Sequence, residues 1–388
     1  VKPLLEEAVE IFTKCLQSQQ QEYSLMQAEI AKAQASGEYT EAWAGELPAE
    51  ESQEQEMETE SSTSDAPGDW ATVEEPLTPE SILETCTAQL NTLTTLLGLY
   101  IPATDLSSIE KRAQDGLDTA TTKIPALLEL IDASPATTAV EEPKAGPTLS
   151  IGSTSAVEEA STTPKDDAIL AAANFQASIA EVQYRSGRTS STEYAEAVER
   201  TFSSLTAKTT TPDLTITNIQ SAYADALMDL ASALAATDID IQWTALTQTQ
   251  NILTQLSSAP YTSMLAASRL ADVFLARGDT DLFRFRLSLL ESAKPAWAKS
   301  RPTLVANAGV FYRGGRTYAE KAGVAGVRAT ADSKAIVAEI LKEVAIGSGV
   351  VKDNWKGRGE DVARVLEQMV EEGIVGRENV EGVLAMTQ

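Results

Sequence analysis

Apolar positions recur three and four residues apart along most of this chain. Leu5, Ala8, Val9, Phe12 and Leu16 fall on one face of a helix predicted over residues 4–35, whose remaining face is Glu, Lys and Gln. Leu83, Cys86, Leu90, Leu93 and Leu97 repeat the stripe. Thr78 is placed to cap that second helix, Pro79 to open it and Glu80 to favour its positive end. Gly98 and Pro102 mark where it stops. Ile109, Ala113, Leu117, Ile124, Leu127, Leu128 and Ile131 predict a helix over 105–132, which Pro125 should kink or break. From Asp166 onward helix follows helix, near 166–186, 190–207, 213–236, 240–257, 261–277, 280–292, 302–322, 330–347, 359–373 and 377–386. The alternation expected of strands is nearly absent, so the predicted fold class is all-α.

Two stretches break the pattern. The first is rich in Glu, Ser and Thr, the second in Pro, Ala, Thr, Glu and Ser. Neither has enough apolar surface to offset the entropy of ordering it, so both are predicted to be disordered. The organisation read from the pattern is an N-terminal helix of a repeat array (1–35), an acidic insertion (36–78), a helix pair (79–132), a second insertion (133–165) and a helical-repeat solenoid (166–388).

Charge sharpens the first insertion. The 388 residues carry 57 Asp and Glu against 30 Lys and Arg, a formal net charge of −27. Residues 261–388 hold 18 basic and 16 acidic side chains, so the excess lies before residue 261. Residues 41–90 alone hold 14 carboxylates and no cation. Glu51, Glu54, Glu56, Glu58, Glu60, Asp65 and Asp69 are the densest part. Such a run attracts a Lys/Arg-rich partner and repels nucleic acid. It serves equally well as a solubilising tether, and both readings stand.

Other chemistry is scarce. There is no histidine, which excludes His-dependent triads and His-ligated metals. Cys15 and Cys86 are too few for a four-Cys zinc site, and both are expected to be buried on apolar helix faces. No metal, cofactor or catalytic residue is expected. Ser333-Lys334 reads as an ordinary helix start, since adjacent residues on a helix do not face each other. Gly309, Gly314, Gly315, Gly323 and Gly326 lack a phosphate-loop pattern and are expected in helix turns and close packing. Asp238-Ile239-Asp240 and Asp279-Thr280-Asp281 are too short for a calcium loop and read as helix caps. Lys294, Trp297, Lys299, Arg301, Phe311, Tyr312, Arg313, Arg316, Tyr318 and Lys321 lie close together. They are either an RNA-contacting patch or, the reading preferred, core aromatics with solvated or paired cations, Arg313 and Arg316 among those that could meet a partner. No apolar run is long enough to span a bilayer. Val1–Glu7 lacks a signal peptide's apolar stretch and begins without Met, so a preceding segment is allowed for. Few cysteines point to the cytosol or nucleus.

Residues 264–295 resemble a tetratricopeptide repeat. Leu270 and Ala271 match its Leu-Gly pair, Phe274 the aromatic of the first helix, Gly278-Asp279 the turn between helices and Pro295 the closing proline. Phe283 and Leu287 depart from the pattern. Ala8, Phe12 and Cys15 resemble a second helix of such a repeat, and Ile179, Ala180, Gly187, Val198, Phe202 and Leu205 a further, lengthened unit. The run from Trp70 to Leu97 looks like a segment of fungal cytosolic tetratricopeptide proteins, among them dedicated escorts of new ribosomal proteins. The resemblance implies a peptide-holding groove, no enzymatic activity and a basic client protein. It also leaves open an adaptor or co-chaperone of another complex and, further back, an RNA-binding solenoid.

Overall fold

The computed structural model describes residues 1–36, 77–133, 163–207, 213–345, 352–353 and 355–387. All regular structure among them is helical: α1 (Lys2–Ser36), α2 (Pro79–Gly98), α3 (Pro102–Asp118), a π-helical turn (Thr119–Lys123), α4 (Ile124–Ala133), α5 (Pro164–Arg185), α6 (Ser191–Thr206), α7 (Leu214–Ala233), α8 (Ile239–Leu256), α9 (Ala267–Leu289), α10 (Pro295–Lys321), α11 (Ala325–Ala345), α12 (Gly359–Glu371) and α13 (Val380–Ala385), with 3-10 turns at Tyr261–Ser263 and Arg377–Asn379. No helix among the described residues is long and apolar enough to cross a membrane.

The helices fold as antiparallel hairpins. α5 packs on α6, α7 on α8 and α9 on α10, and successive hairpins stack through α5 on α7 and α6 on α8. α2 packs on α1 and α5 and carries the array toward the N-terminus. The α2 stripe behaves as its spacing requires: Leu83, Cys86, Leu90, Leu93 and Leu97 are all buried, in one core with Val9 and Leu16 of α1 and Phe175 of α5. Thr78 caps α2, its Oγ1 accepting from the Ser81 N–H while Ser81 Oγ accepts from the Thr78 N–H. Beside a small core around Leu253, Leu256 and Tyr261, two larger ones follow. One holds Tyr194, Phe202, Tyr223 and Leu227 between α5 and α8. The other gathers Tyr312, Trp355, Leu366 and Met369 from α10 to α12.

Several local expectations are corrected. Gly278-Asp279 is not a turn, because α9 runs unbroken from Ala267 to Leu289. A Cβ at position 278 would lie 2.3 Å from Tyr312 Cε1, so the glycine is there to let α10 approach. Pro295 opens α10 at its first position instead of closing a preceding helix. Asp279 and Asp281 lie inside α9 and cap nothing. Ser333-Lys334 is not a helix start, since α11 begins at Ala325 and both residues are buried within it. Pro125 does not break its helix. A π-helical turn precedes it, with the Ile124 N–H donating to Thr119 O, which absorbs the mismatch a proline creates. Cys15 is exposed, because Val9 and Leu16 set the inward face of α1 and Cys15 points away from it. Cys86 is buried as expected, and burial pushes its thiol up to about 11, which keeps it protonated and unreactive at neutral pH. Leu270 and Ala271 are buried in α9, and Phe274 stacks on Tyr318 with ring centroids 5.2 Å apart.

The α9–α11 unit is tied together by one buried ionic group. Lys334 Nζ on α11 donates to both oxygens of Asp279 on α9, at 2.8 and 2.9 Å. The Tyr312 hydroxyl on α10 donates to the same carboxylate at 2.8 Å. Only 6% of the Lys334 side chain and 13% of the Asp279 side chain reach solvent. Complete burial, followed by the Asp279 charge, drives the Tyr312 hydroxyl well above its ordinary pKa.

Candidate binding groove

The seven acidic residues Glu51, Glu54, Glu56, Glu58, Glu60, Asp65 and Asp69, chosen from sequence as partner-binding, lie outside the described residues. Arg313 and Arg316 are described, and both are already engaged. Arg313 pairs with Glu339 at 3.0 Å, and Arg316 with Asp332 at 3.1 Å. The aromatic residues near them are structural. Trp297 stacks on Trp243 with centroids 4.3 Å apart, Tyr312 is wholly buried and Phe311 lies under Arg277. Lys294 pairs with Asp240 and Arg301 donates to Ser288 O. Lys294, Arg301, Arg313 and Arg316 thus bind acids and a carbonyl of ordered helices and knit α8, α9, α10 and α11 together.

A different acidic site emerges on the hairpin stack. Glu181 of α5 and Asp225 and Asp229 of α7 line a groove along successive helices, and Asp272 of α9 lies near enough for its charge to act on Asp225. The helices place them there for simple reasons. On α7, Ile219, Tyr223, Leu227 and Leu230 are drawn into the core, which turns Asp225 and Asp229 outward to the same side. Their i,i+4 spacing sets two like charges one turn apart, an arrangement that costs helix stability. The small side chains of Ala177, Ala222 and Ala226 leave a pocket of about 230 Å³ between them.

Water reaches Asp225 and Asp229, yet the walls of the groove crowd them. This enclosure lifts Asp225 to about 6, assisted by Asp229 and Asp272 and opposed by Arg269. Glu181, Asp229 and Asp272 are raised by the same enclosure, against Arg185 for the first two and Arg269 for the third. The groove thus holds three carboxylates beside Arg185, with Asp272 and Arg269 of α9 close to Asp225. Arg185 pairs with Glu181, and Arg269 donates to Asn218. Among the described residues no group of acidic or cysteine side chains is placed to hold a metal ion.

A carboxyl whose pKa is raised on folding favours the folded state only while protonated. For Asp225 that contribution is complete below its ordinary value of 3.8 and is lost as the pH rises through about 6. The full shift corresponds to about 3 kcal/mol, and solvent screening of a water-accessible carboxylate reduces the expected effect to about 1 kcal/mol. Asp225→Asn is therefore expected to stabilise the protein by about 1 kcal/mol at pH 7.5 and by nothing measurable at pH 4. Urea unfolding of both proteins at the two pH values checks this. An equal gain at both would mean that Asp225 titrates normally.

Two other hollows flank the groove. A cleft of about 320 Å³ between α6, α7 and α8 has Leu227, Leu230 and Ile241 in its floor and Glu196, Glu199 and Asp240 on its rim. A shallower one of about 590 Å³ lies between α4 and the α5–α6 hairpin and is mainly apolar. Comparison of the chain with protein-family models, with curated proteins and with solved structures gives no match.

Sequence reasoning passed over the groove because its acids come from two helices far apart in the chain, Glu181 on α5 and Asp225 and Asp229 on α7. The one local signal was the Asp225–Asp229 pair, two like charges on the polar face of an otherwise apolar helix.

Proposed function

We propose that the chain is a noncatalytic scaffold of the tetratricopeptide-like solenoid type, working in the cytosol or nucleus as an escort for a basic client such as a ribosomal protein. The groove along α5 and α7 holds a Lys/Arg-rich segment of the client, and the acidic run in residues 46–75 draws that client in. One observation carries the reading: Glu181, Asp225 and Asp229 line one concave pocket on the hairpin stack, with Arg185 the cation paired there. Acidic groups held at a stability cost are characteristic of binding surfaces. The stacked hairpins α5–α6, α7–α8 and α9–α10 support the repeat reading. The unbroken α9 departs from it, since it spans the length that a single repeat would divide.

The reading predicts that a labelled Lys/Arg-rich peptide binds with an affinity that falls steeply as salt rises. A Glu-rich peptide of the same length should not bind. Fluorescence anisotropy across a salt series measures both. Equal binding of the two peptides, or a flat salt dependence, would contradict it.

A further inference from the structure

The cleft between α6, α7 and α8 has an apolar floor that is held in place from behind. Tyr223, Leu227, Leu230 and Ala245 line it, and all four are buried in the core that Phe202 shares. The Tyr223 ring stacks on Phe202 with centroids 5.2 Å apart, and its hydroxyl accepts from Gln248 Nε2 at 3.3 Å. A ligand entering the hollow of about 320 Å³ therefore meets an ordered apolar surface and need not order it. Concave sites of this kind take an apolar group at the centre and fix it by a few polar groups around the edge.

The rim has the complementary chemistry. Glu196 and Glu199 come from α6 and Asp240 from α8. The three helices supply almost nothing to balance them. α7 and α8 contain no Lys or Arg, and the one cation of α6, Arg200, lines the separate hollow beside α4. Glu196 and Glu199 have no ion-pair partner among the described residues. Asp240 has one, and it shows what this rim accepts. Lys294, at the start of α10, sets its ammonium 2.6 Å from Asp240 Oδ1 and 5.1 Å from the centre of the Trp297 ring. One lysine from outside the three helices thus already sits on the rim, and the two carboxylates of α6 have no such cation.

We infer that this cleft is the docking site for a basic amphipathic helix of a partner protein, which sets a large apolar side chain on Leu227 and Leu230 and lysines or arginines against Glu196 and Glu199. A helix carries residues three and four apart on one side, so an apolar anchor and its flanking cations arrive together. Burial of the anchor supplies affinity, and the charges around it supply register and rate. The rim acids select the charge of the occupant. They repel an acidic helix and an anionic lipid surface, and a neutral helix would desolvate them without giving them a donor. The cleft uses a different side of α7 from Asp225 and Asp229, so the inference goes beyond the proposed function and does not depend on it.

The test uses the full chain and a labelled peptide that repeats Lys-Leu-Ala-Lys-Lys-Leu-Ala twice, read by fluorescence anisotropy. This peptide is expected to bind about tenfold more tightly than a scrambled peptide of the same composition, the gain from burying about one leucine side chain. Thr244→Trp, at an exposed position on the α8 wall, and Ala195→Phe, on the α6 wall, each fill the hollow. Both should erase that preference and leave octa-lysine binding as it was. Glu196→Gln with Glu199→Gln, both exposed, should weaken the repeat peptide and flatten its salt dependence. Asp225→Asn with Asp229→Asn should leave the preference intact. Equal binding of the ordered and scrambled peptides, or a preference that survives both filling variants, would overturn the docking site. Equally tight binding of a version with glutamine in place of lysine would overturn the basic occupant. A concentration-dependent dimer abolished by Thr244→Trp would give the cleft to a second copy of this chain and overturn the inference as well.

Discussion

Replacing Lys334 by Met is expected to cost about 3–5 kcal/mol of unfolding free energy. The substitution leaves the Asp279 carboxyl buried with only the Tyr312 hydroxyl as partner. Lys334, Tyr312 and Asp279 join α11, α10 and α9, so the loss falls on the α9–α11 unit as a whole. Removing both charges is a different matter. Asp279→Leu combined with Lys334→Met replaces a desolvated pair by packing side chains and should recover most of the loss. Denaturant midpoints of the single and double variants measure this directly. A Lys334→Met protein as stable as the parent would mean that the pair is solvated in solution.

Gly278→Ala carries the second large effect, and its sign depends on Tyr312. Alanine favours a helix over glycine by about 1 kcal/mol. Against that, the new Cβ would sit 2.3 Å from a ring that is wholly buried and anchored through its hydroxyl to Asp279. The overpacking is expected to outweigh the helix gain and leave a net loss of about 2 kcal/mol. In a Tyr312→Ala background the clash is gone, so the same substitution should stabilise by about 1 kcal/mol. The double-mutant cycle therefore separates two accounts of Gly278. If the residue were a turn glycine with positive φ, alanine would destabilise in both backgrounds.

Much of the fold was legible because it is local. The α2 stripe and its Thr78–Pro79 start follow from spacing and capping alone, and the structure reproduces them. The failures share a cause of the opposite kind. Gly278-Asp279 has the composition of a turn, but Asp279 is held mid-helix by partners 33 and 55 residues away. No local rule contains that information. The same holds for Ser333-Lys334, whose place inside α11 is fixed by the distant Asp279. Cys15 was misjudged because a stripe tells which positions are apolar and not which of them a neighbour covers. Among the described side chains of α1, Val9 and Leu16 are the ones fully covered.

The charge reading moved in a similar way. Sequence directs attention to the densest acidic run, which lies outside the described residues. The fold gathers a second, sparser set, Glu181, Asp225 and Asp229, from α5 and α7 into one groove, where their carboxyl pKa values are raised. The lone cations expected to meet a partner, Arg313 and Arg316, are paired within the molecule. Net charge alone therefore does not locate the binding surface, whereas the combination of like charge, enclosure and short supply of cations does.

The most direct measurement compares two variants for octa-arginine affinity at low salt. One neutralises the groove with Glu181→Gln, Asp225→Asn, Asp229→Asn and Asp272→Asn. The other deletes residues 46–75. The groove variant is expected to be at least as stable as the parent near neutral pH and to bind more than about tenfold more weakly, chiefly through faster dissociation. The deletion should slow association and leave dissociation nearly unchanged. Parental affinity in the groove variant, with all of the loss in the deletion, would contradict the assignment of the groove as the client-holding surface.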